Sequence, residues 1–351
     1  LPVRFTPGCT YLLGSSLLLP SGTSLTGYGA TLKASAGAGH RLITTYDPDN
    51  VRVSGLTLDL NRSNVTAPVS EFTTEMTGIQ IDATAAGAVG VVVQDVTVIN
   101  GHQYGIYVSG DSGLPVEIAL RNVAVSGCRI GVLIVEGLDV QVVGGDFSDN
   151  RQGGIYLHAG SGHRLRGLRA CSNGRDGIVF DDAAHDFSVH GCRCDGNGTS
   201  DSEGQGITAS VETHHFSITG NVCDGNKTAG IQIDPKRAGD SDQIDAYGTV
   251  SSNVCTGATD NHGIYVTFAR FVTVTGNVCD NNAGAGIMAA CSDATIVGNQ
   301  LVGNNHGVYL AVGTSTPTMG SHVVGPNLYS DNATADLYED VGVAASRLLD
   351  P

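Results

Sequence analysis

Residues 216–234 read FSITGNVCDGNKTAGIQID, and this stretch decides the fold. A short strand leads to a Gly-Asn bend, a second short strand passes through Val222 and Cys223, an Asp-Gly-Asn turn follows, and a third strand runs from Ile231 to Asp234. Three strands and three turns make one coil of a β-solenoid. The same unit recurs along the chain: a glycine followed by an aliphatic residue opens a strand at Gly78, Gly105, Gly131, Gly154, Gly177, Gly206, Gly230, Gly263, Gly286 and Gly307. Steps between these glycines run from 21 to 33 residues, and four of the nine are 23 or 24, the amount of chain one coil consumes. Stacked coils let strands of successive units pair side by side without limit of length.

Composition agrees with this architecture. The 351 residues include 49 glycines, no Trp and only 15% charged side chains, which favours short strands and tight turns over helices. The expected organisation is one elongated domain over residues 1–351. Its opening coils, through residue 70, are more irregular (FTPGCTYLL, LLLPSGTSLTGYGATLK, VRVSGLTLDLN), its regular coils span 71–311, and residues 312–351 form a closing cap. The chain begins at Leu1 rather than Met, and a solenoid end exposes unpaired strand edges. A leader or capping segment upstream is therefore expected.

Net charge is −16 with three lysines, Lys33, Lys227 and Lys236, which argues against a nucleic-acid partner. A polyanionic ligand would need a local basic patch. No apolar run approaches the ~20 residues of a membrane span, so no membrane insertion is expected. The nine cysteines are an odd number in a chain of secreted character. Cys171, Cys194, Cys223, Cys255 and Cys279 recur once per coil and are expected to form one inward column of buried free thiols. In the CRC run at 192–194, strand alternation places both sulfurs on one face and Arg193 on the other. Asn150, Asn197, Asn226, Asn282 and Asn305 sit at matching places, where stacked amides can satisfy turn backbone.

The GN-x-x-x-x-N and GI-x-hydrophobic repeats resemble the right-handed parallel β-helix superfamily of pectate lyases, polygalacturonases, alginate-modifying enzymes and phage tailspikes. The resemblance covers nearly the whole chain. It implies an all-β, right-handed, single-stranded parallel β-helix of about ten or more coils, three strands per coil. Residues 172–182, SNGRDGIVFDD, and the preceding coil with His158, in GGIYLHAG, are similar to the catalytic region of mannuronan C-5 epimerases. There an Asp-Gly-aliphatic-x-x-Asp strand follows a coil bearing a catalytic His.

Along each GI-strand the first and third residues after the glycine point inward, so the second and fourth point out. The fourth positions are Asp82, Ser109, Val135, His158, Asp181, Ser210, Asp234, Thr267, Ala290 and Ala311, and the second positions include Tyr107, Leu133, Tyr156, Val179, Thr208, Gln232 and Tyr265. With coils ~4.8 Å apart, His158 and Asp181 are expected one coil apart with Tyr156 beside the histidine, and Asp234 two coils beyond Asp181. The candidate catalytic residues are thus His158, Tyr156, Asp181 and Asp234. Asp182, Lys236, Arg237, Arg270, Gln232 and Tyr265 are the candidate substrate-binding residues.

Two chemistries remain open on these groups. In one, Lys236, Arg237 or Arg270 neutralises a substrate carboxylate while His158 or Tyr156 moves a proton at the adjacent carbon, giving elimination or C-5 epimerisation of a uronate. In the other, Asp181 and Asp234 act as an inverting hydrolase or transferase pair on a neutral glycan. A non-catalytic glycan-binding or tailspike-like protein is the third reading, and a cyclase of specialised metabolism a further one. The expected partner is an oligo- or polysaccharide, in an extracellular or secreted setting, with oligomeric state left open. No metal and no cofactor are expected at the site, although Asp195, Asp224 and Asp280 are candidate oxygen ligands for Ca²⁺ as well as turn formers. His163, His185, His214 and His215 form an expected solvated rim. The arginines between 151 and 193 read as solubility or a separate strip, with Arg164 and Arg166 on a different face from His158.

Overall fold

The computed structural model describes residues 2–37, 39–68, 76–110, 116–200, 203–237, 243–311 and 322–340, together with the strand Arg347–Leu348. Among these the only helical turn is the three-residue 3₁₀ segment Arg62–Asn64, and no helix is long and apolar enough to cross a membrane. The chain divides into two compact units, Leu1–Asn173 and Gly174–Pro351. Each is a stack of parallel coils.

In the first unit the strands opened by the repeat glycines pair in strict register, Ile43 with Ile79, Ile79 with Ile106, Ile106 with Val132 and Val132 with Ile155. The stack is already in register at the start, where Pro2 pairs with Ser24 and Thr10 with Thr31. In the second unit the file runs Ile178, Ile207, Ile231, Ile264, Ile287, Val308 and Leu337. The first and third residues after each glycine are inaccessible, as alternation requires: Ile231 and Ile233 are both 0% exposed. Full burial of each such side chain stabilises by about 1.5–3 kcal/mol, and a coil can bury them only against its neighbours.

The repeat does not decay at residue 312 as expected. Val323–Val324, Leu328–Ser330 and Ala335–Glu339 add a further coil, pairing with Thr295, Gln300 and His306 and their successors. Part of the expected closing cap, residues 312–321, 341–346 and 349–351, lies outside the described residues.

Two columns of asparagine hold the corners of the second unit. At one corner Asn221, Asn253, Asn277 and Asn299 each pass a side-chain N–H to the Oδ1 of the next asparagine at 3.0 Å, ending on Asn327. The same amides donate to carbonyls one coil back, Asn253 to Ile218 at 2.9 Å and Asn277 to Val250 at 3.0 Å. The residue before each of the first four asparagines is left-handed, as Gly276 is at φ 64° and Ser252 at φ 56°, whereas Pro326 precedes Asn327. This column was not anticipated beyond its Gly-Asn bends. The other corner carries Asn197 and Asn226, then Asn282, Asn304 and Asn332, with Ala258 donating its N–H to Asn282 where the column lacks an amide. Asn304, not the expected Asn305, occupies the ladder. Asn305 lies one residue past the corner and only accepts a bond from the Thr334 hydroxyl.

The thiol column is likewise corrected by one member. Cys223, Cys255 and Cys279 are register partners, Cys194 hydrogen-bonds to Cys223, and Leu301 continues the file. Each lies three residues before its corner position. In the first unit that place belongs to Ala170, three before Asn173, so Cys171 falls out of phase, with its N–H bound to Ser148 Oγ at 3.0 Å. All nine cysteines are free and eight are buried, Cys9 being the exposed one. Burial pushes the Cys128 and Cys291 thiols up to about 12, so they remain inert packing groups. Cys192 and Cys194 both face inward with Arg193 exposed between them.

Replacing Asn253 by Ala removes its side-chain bonds and leaves buried turn groups unpaired. Chemical denaturation is expected to show a loss of about 2–4 kcal/mol, against about 0.5 kcal/mol or less for Asn305→Ala.

Candidate functional site

The ladders set which side chains share a file on the outward face of the second unit. The strands Ile178–Asp181, Gln205–Ser210, Ala229–Asp234 and His262–Arg270 are consecutive there. Thr208 pairs with Gln232 and Gln232 with Tyr265, while Ser210 pairs with Asp234. Phe180 pairs with Ala209, which places Asp181 beside Ser210, and the Ser210 hydroxyl donates to Asp181 Oδ1 at 3.2 Å. Asp181 and Asp234 therefore stand two coils apart, about 10 Å along the stack at ~4.8 Å per coil.

Asp234 stands out on this face as a desolvated carboxyl. Burial raises its carboxyl above the ordinary carboxylate range, opposed by the Lys236 backbone N–H and the Lys236 charge. Its Oδ1 is buried and has no hydrogen-bond partner. A desolvated carboxyl with a lone oxygen turned to no protein donor is a functional-site signature rather than a stabilising one. Tyr265 lies on the next strand, where burial chiefly, and Asp234 as well, raise its phenol, while a hydrogen bond to Thr267 opposes them. Gln232 is held by Gln205, whose Nε2 donates to its Oε1 at 2.8 Å.

The three expected cations separate into different roles. Arg237 is committed to Glu212 at 2.8 Å and Asp182 at 3.4 Å, an exposed network whose charge is already neutralised. Arg270 pairs with Asp245 and lies 5.6 Å over the Phe271 ring. Lys236 has no carboxylate partner among the described residues, and its Nζ sits 4.0 Å from the centre of the Phe268 ring. Of these three, Lys236 alone lacks an ion pair among the described residues, and its charge acts on Asp234. Asp182, at φ 54°, opens the turn and serves Arg237.

His262 was passed over, because its NHG run reads as repeat punctuation. His262, the residue before its repeat glycine, lies 5.3 Å from Tyr265, ring centre to ring centre, as Tyr104 lies beside Tyr107. Its Nδ1 accepts the Ala285 N–H at 2.9 Å, leaving the proton on Nε2. Burial, and secondarily His306, lowers its pKa to about 4. At neutral pH it is an uncharged donor fixed at the edge of the same face.

His158 and Tyr156 belong to the first unit, on the strand Gly153–His158, with ring centres 6.2 Å apart. Tyr156 is 7% exposed and His158 half-buried, paired in register with Leu133 and Val135. Arg164 and Arg166 lie in a different sheet from His158, as alternation around the coil requires. His163, expected at a solvated rim, is fully buried because it points inward at a coil corner. In the second unit His185 and His214 stack at 4.9 Å, and His214 meets His215 at 2.7 Å between their Nδ1 atoms. Asp195 accepts the Asp224 N–H and Asp224 accepts the Thr256 hydroxyl, so these acids serve the turns. Among the described residues no three His, Cys, Asp or Glu side chains converge as a metal set.

Known proteins agree with this architecture. The family described as "Right handed beta helix region" matches residues 77–239, and the family of the periplasmic copper-binding protein NosD matches residues 187–330. No curated protein matches the chain. Among solved structures, the A-module of mannuronan C-5 epimerase AlgE4 from Azotobacter vinelandii is similar with a TM-score of 0.65 at 15% identity, over 99% of this chain and 90% of that one. The periplasmic alginate epimerase AlgG is similar with a TM-score of 0.66 at 13% identity, over 98% and 78%. Tailspike protein 2 of bacteriophage CBA120 follows with a TM-score of 0.58 at 15% identity, over 78% and 43%. The fold is the right-handed parallel β-helix to which the repeats pointed, and at these identities the likeness is one of fold.

Because the folded-state pKa of Asp234 is raised, its ionised form costs stability at neutral pH, and that cost vanishes below the unfolded carboxyl pKa of about 3.9. Asp234→Asn is expected to melt above the wild type at pH 7 and level with it near pH 3.5, as read by thermal unfolding at both values.

Proposed function

We propose that this chain is a carbohydrate-active enzyme that binds an acidic oligo- or polysaccharide along the outward face of its second unit and moves a proton next to a uronate carboxylate. The observation that supports this reading is a desolvated carboxyl, Asp234, beside Lys236, a cation with no ion pair among the described residues. Lys236 neutralises the uronate carboxylate. Asp234 then takes the proton from the adjacent carbon, and the electron pair left behind spreads into the carboxylate group, where Lys236 and the Nε2–H of His262 stabilise it. Collapse of that charge can expel the neighbouring glycosidic oxygen, protonated by Tyr265, to leave an unsaturated sugar. Return of a proton from Tyr265 to the opposite face gives the epimer instead. Gln232, fixed by Gln205, is placed to read a hydroxyl.

Mannuronan C-5 epimerases carry out chemistry of this kind by name, and the periplasmic descriptions of AlgG and NosD favour a periplasmic or extracellular setting. One observation favours a second reading. Asp181 and Asp234 lie in the same outward file two coils apart, near the upper end of the separation used by inverting glycosidases, and a raised pKa suits Asp234 as the acid.

Assays on alginate and pectate in deuterated water separate these outcomes. Deuterium at the carbon next to the carboxylate, or an ultraviolet-absorbing unsaturated product, marks the first reading, and new reducing ends without either mark hydrolysis. Asp234→Asn is expected to lower kcat at least about 100-fold, and Lys236→Ala to raise KM for the acidic glycan more than it lowers kcat. Loss of turnover in His158→Ala with Asp234→Asn still active would move the chemistry to the first unit and overturn this assignment.

A further inference from the structure

The first unit carries a concavity of about 450 Å³ around the 3₁₀ turn Arg62–Asn64. Every residue that lines it is polar, among them Lys33, Asp59, Arg62, Ser63, Asn100 and His102. Its single carboxylate is already answered. Asp59 accepts from Lys33 Nζ at 2.7 Å, from the Asn61 N–H at 2.9 Å and from Asn100 Nδ2 at 3.1 Å. Burial works to raise this carboxyl, but the donors outweigh it and the group is held below the usual range.

Arg62 has no such answer. Its guanidinium makes no ion pair and no hydrogen bond among the described residues, and it stands exposed at the wall of the concavity. A second guanidinium lies within its electrostatic reach. Arg151 donates to the carbonyls of Gly101 at 2.9 Å, Gly127 at 3.2 Å and His102 at 2.5 Å. Burial first and Arg62 second make the charged form of Arg151 less favourable. The Arg62 charge thus already weighs on Arg151, in a chain whose net charge is −16. That repulsion is relieved when an anion enters.

We propose that this concavity binds the anionic group of an acidic sugar residue, with Arg62 as its principal ligand. A planar guanidinium with no partner among the described residues matches a carboxylate two bonds at a time. The volume falls in the range of small-ligand sites, and the Ser63, Asn64, Asn100 and His102 side chains offer hydrogen bonds to hydroxyls. Among the described residues the lining holds no aliphatic side chain and no Phe, Tyr or Trp, which turns away an apolar ligand. The kind of ligand rests on the glycan reading above, whereas the site itself requires no turnover.

The test uses the full chain carrying Lys236→Ala, so that the second unit's free cation is removed. D-glucuronate, inorganic sulfate and D-glucose are titrated calorimetrically at low ionic strength into this protein and into its Arg62→Ala derivative. Saturable glucuronate binding, absent for glucose and at least tenfold weaker in the Arg62→Ala derivative at unchanged melting temperature, is expected. Equal affinity in both proteins, no difference between glucuronate and glucose, or binding of sulfate without glucuronate would each overturn the proposal. Loss of enzymatic turnover alone leaves this binding untouched, so the two readings fail separately.

Discussion

The structure depends on register. Parallel strands of successive coils exchange backbone bonds, but those bonds alone would tolerate a slip along the strand, and a one-residue slip turns every inward side chain outward. The asparagine columns forbid the slip in the second unit. Asn253 can bond Asn221, Asn277 and the Ile218 carbonyl at once only if all three coils are in phase. The amides lie in dry corners where an unpaired polar group is expensive, so each ladder locks the alternation for the strands between its corners.

From that lock follows the composition of the outward face. Asp181, Ser210 and Asp234 share one file and Thr208, Gln232 and Tyr265 another, because Ile178, Ile207, Ile231 and Ile264 share the file beneath them. A flat parallel sheet offers no deep pocket. What singles out one part of it is electrostatic: Asp234 loses solvent to its neighbours and gains no hydrogen bond on Oδ1, while Lys236 forms no ion pair among the described residues. A few residues away, Arg237 meets both Glu212 and Asp182 and so carries no spare charge. The same contrast, a spent carboxylate and an unspent guanidinium, distinguishes Asp59 from Arg62 in the first unit.

Particular residues show where reading the sequence stopped short. Cys171 sits at nearly the right interval for the thiol file, yet a single residue separates it from the phase that Ala170 occupies. Asn305 and Asn304 are neighbours, and choosing the ladder member needed the spacing of five that joins Asn299 to Asn304 and Asn327 to Asn332. That spacing would also have extended the repeat past residue 312. His262 hid within a run that looked like turn chemistry, and His163 looked like a rim residue because nothing in its own segment announces a coil corner.

The sequence by itself determined the coil, its period, the inward alternation and the column of small thiols, since these follow from local periodicity that every coil repeats. It also named Asp181, Asp234, Gln232 and Tyr265 as outward groups of neighbouring strands, with Lys236 just beyond Asp234. Only the tertiary structure decided which of those groups is desolvated, which cation is already paired and which guanidinium is left over. Ion pairing and loss of solvent arise between coils and loops tens of residues apart, as Arg237 and Asp182 are, and no local pattern encodes the distance between them.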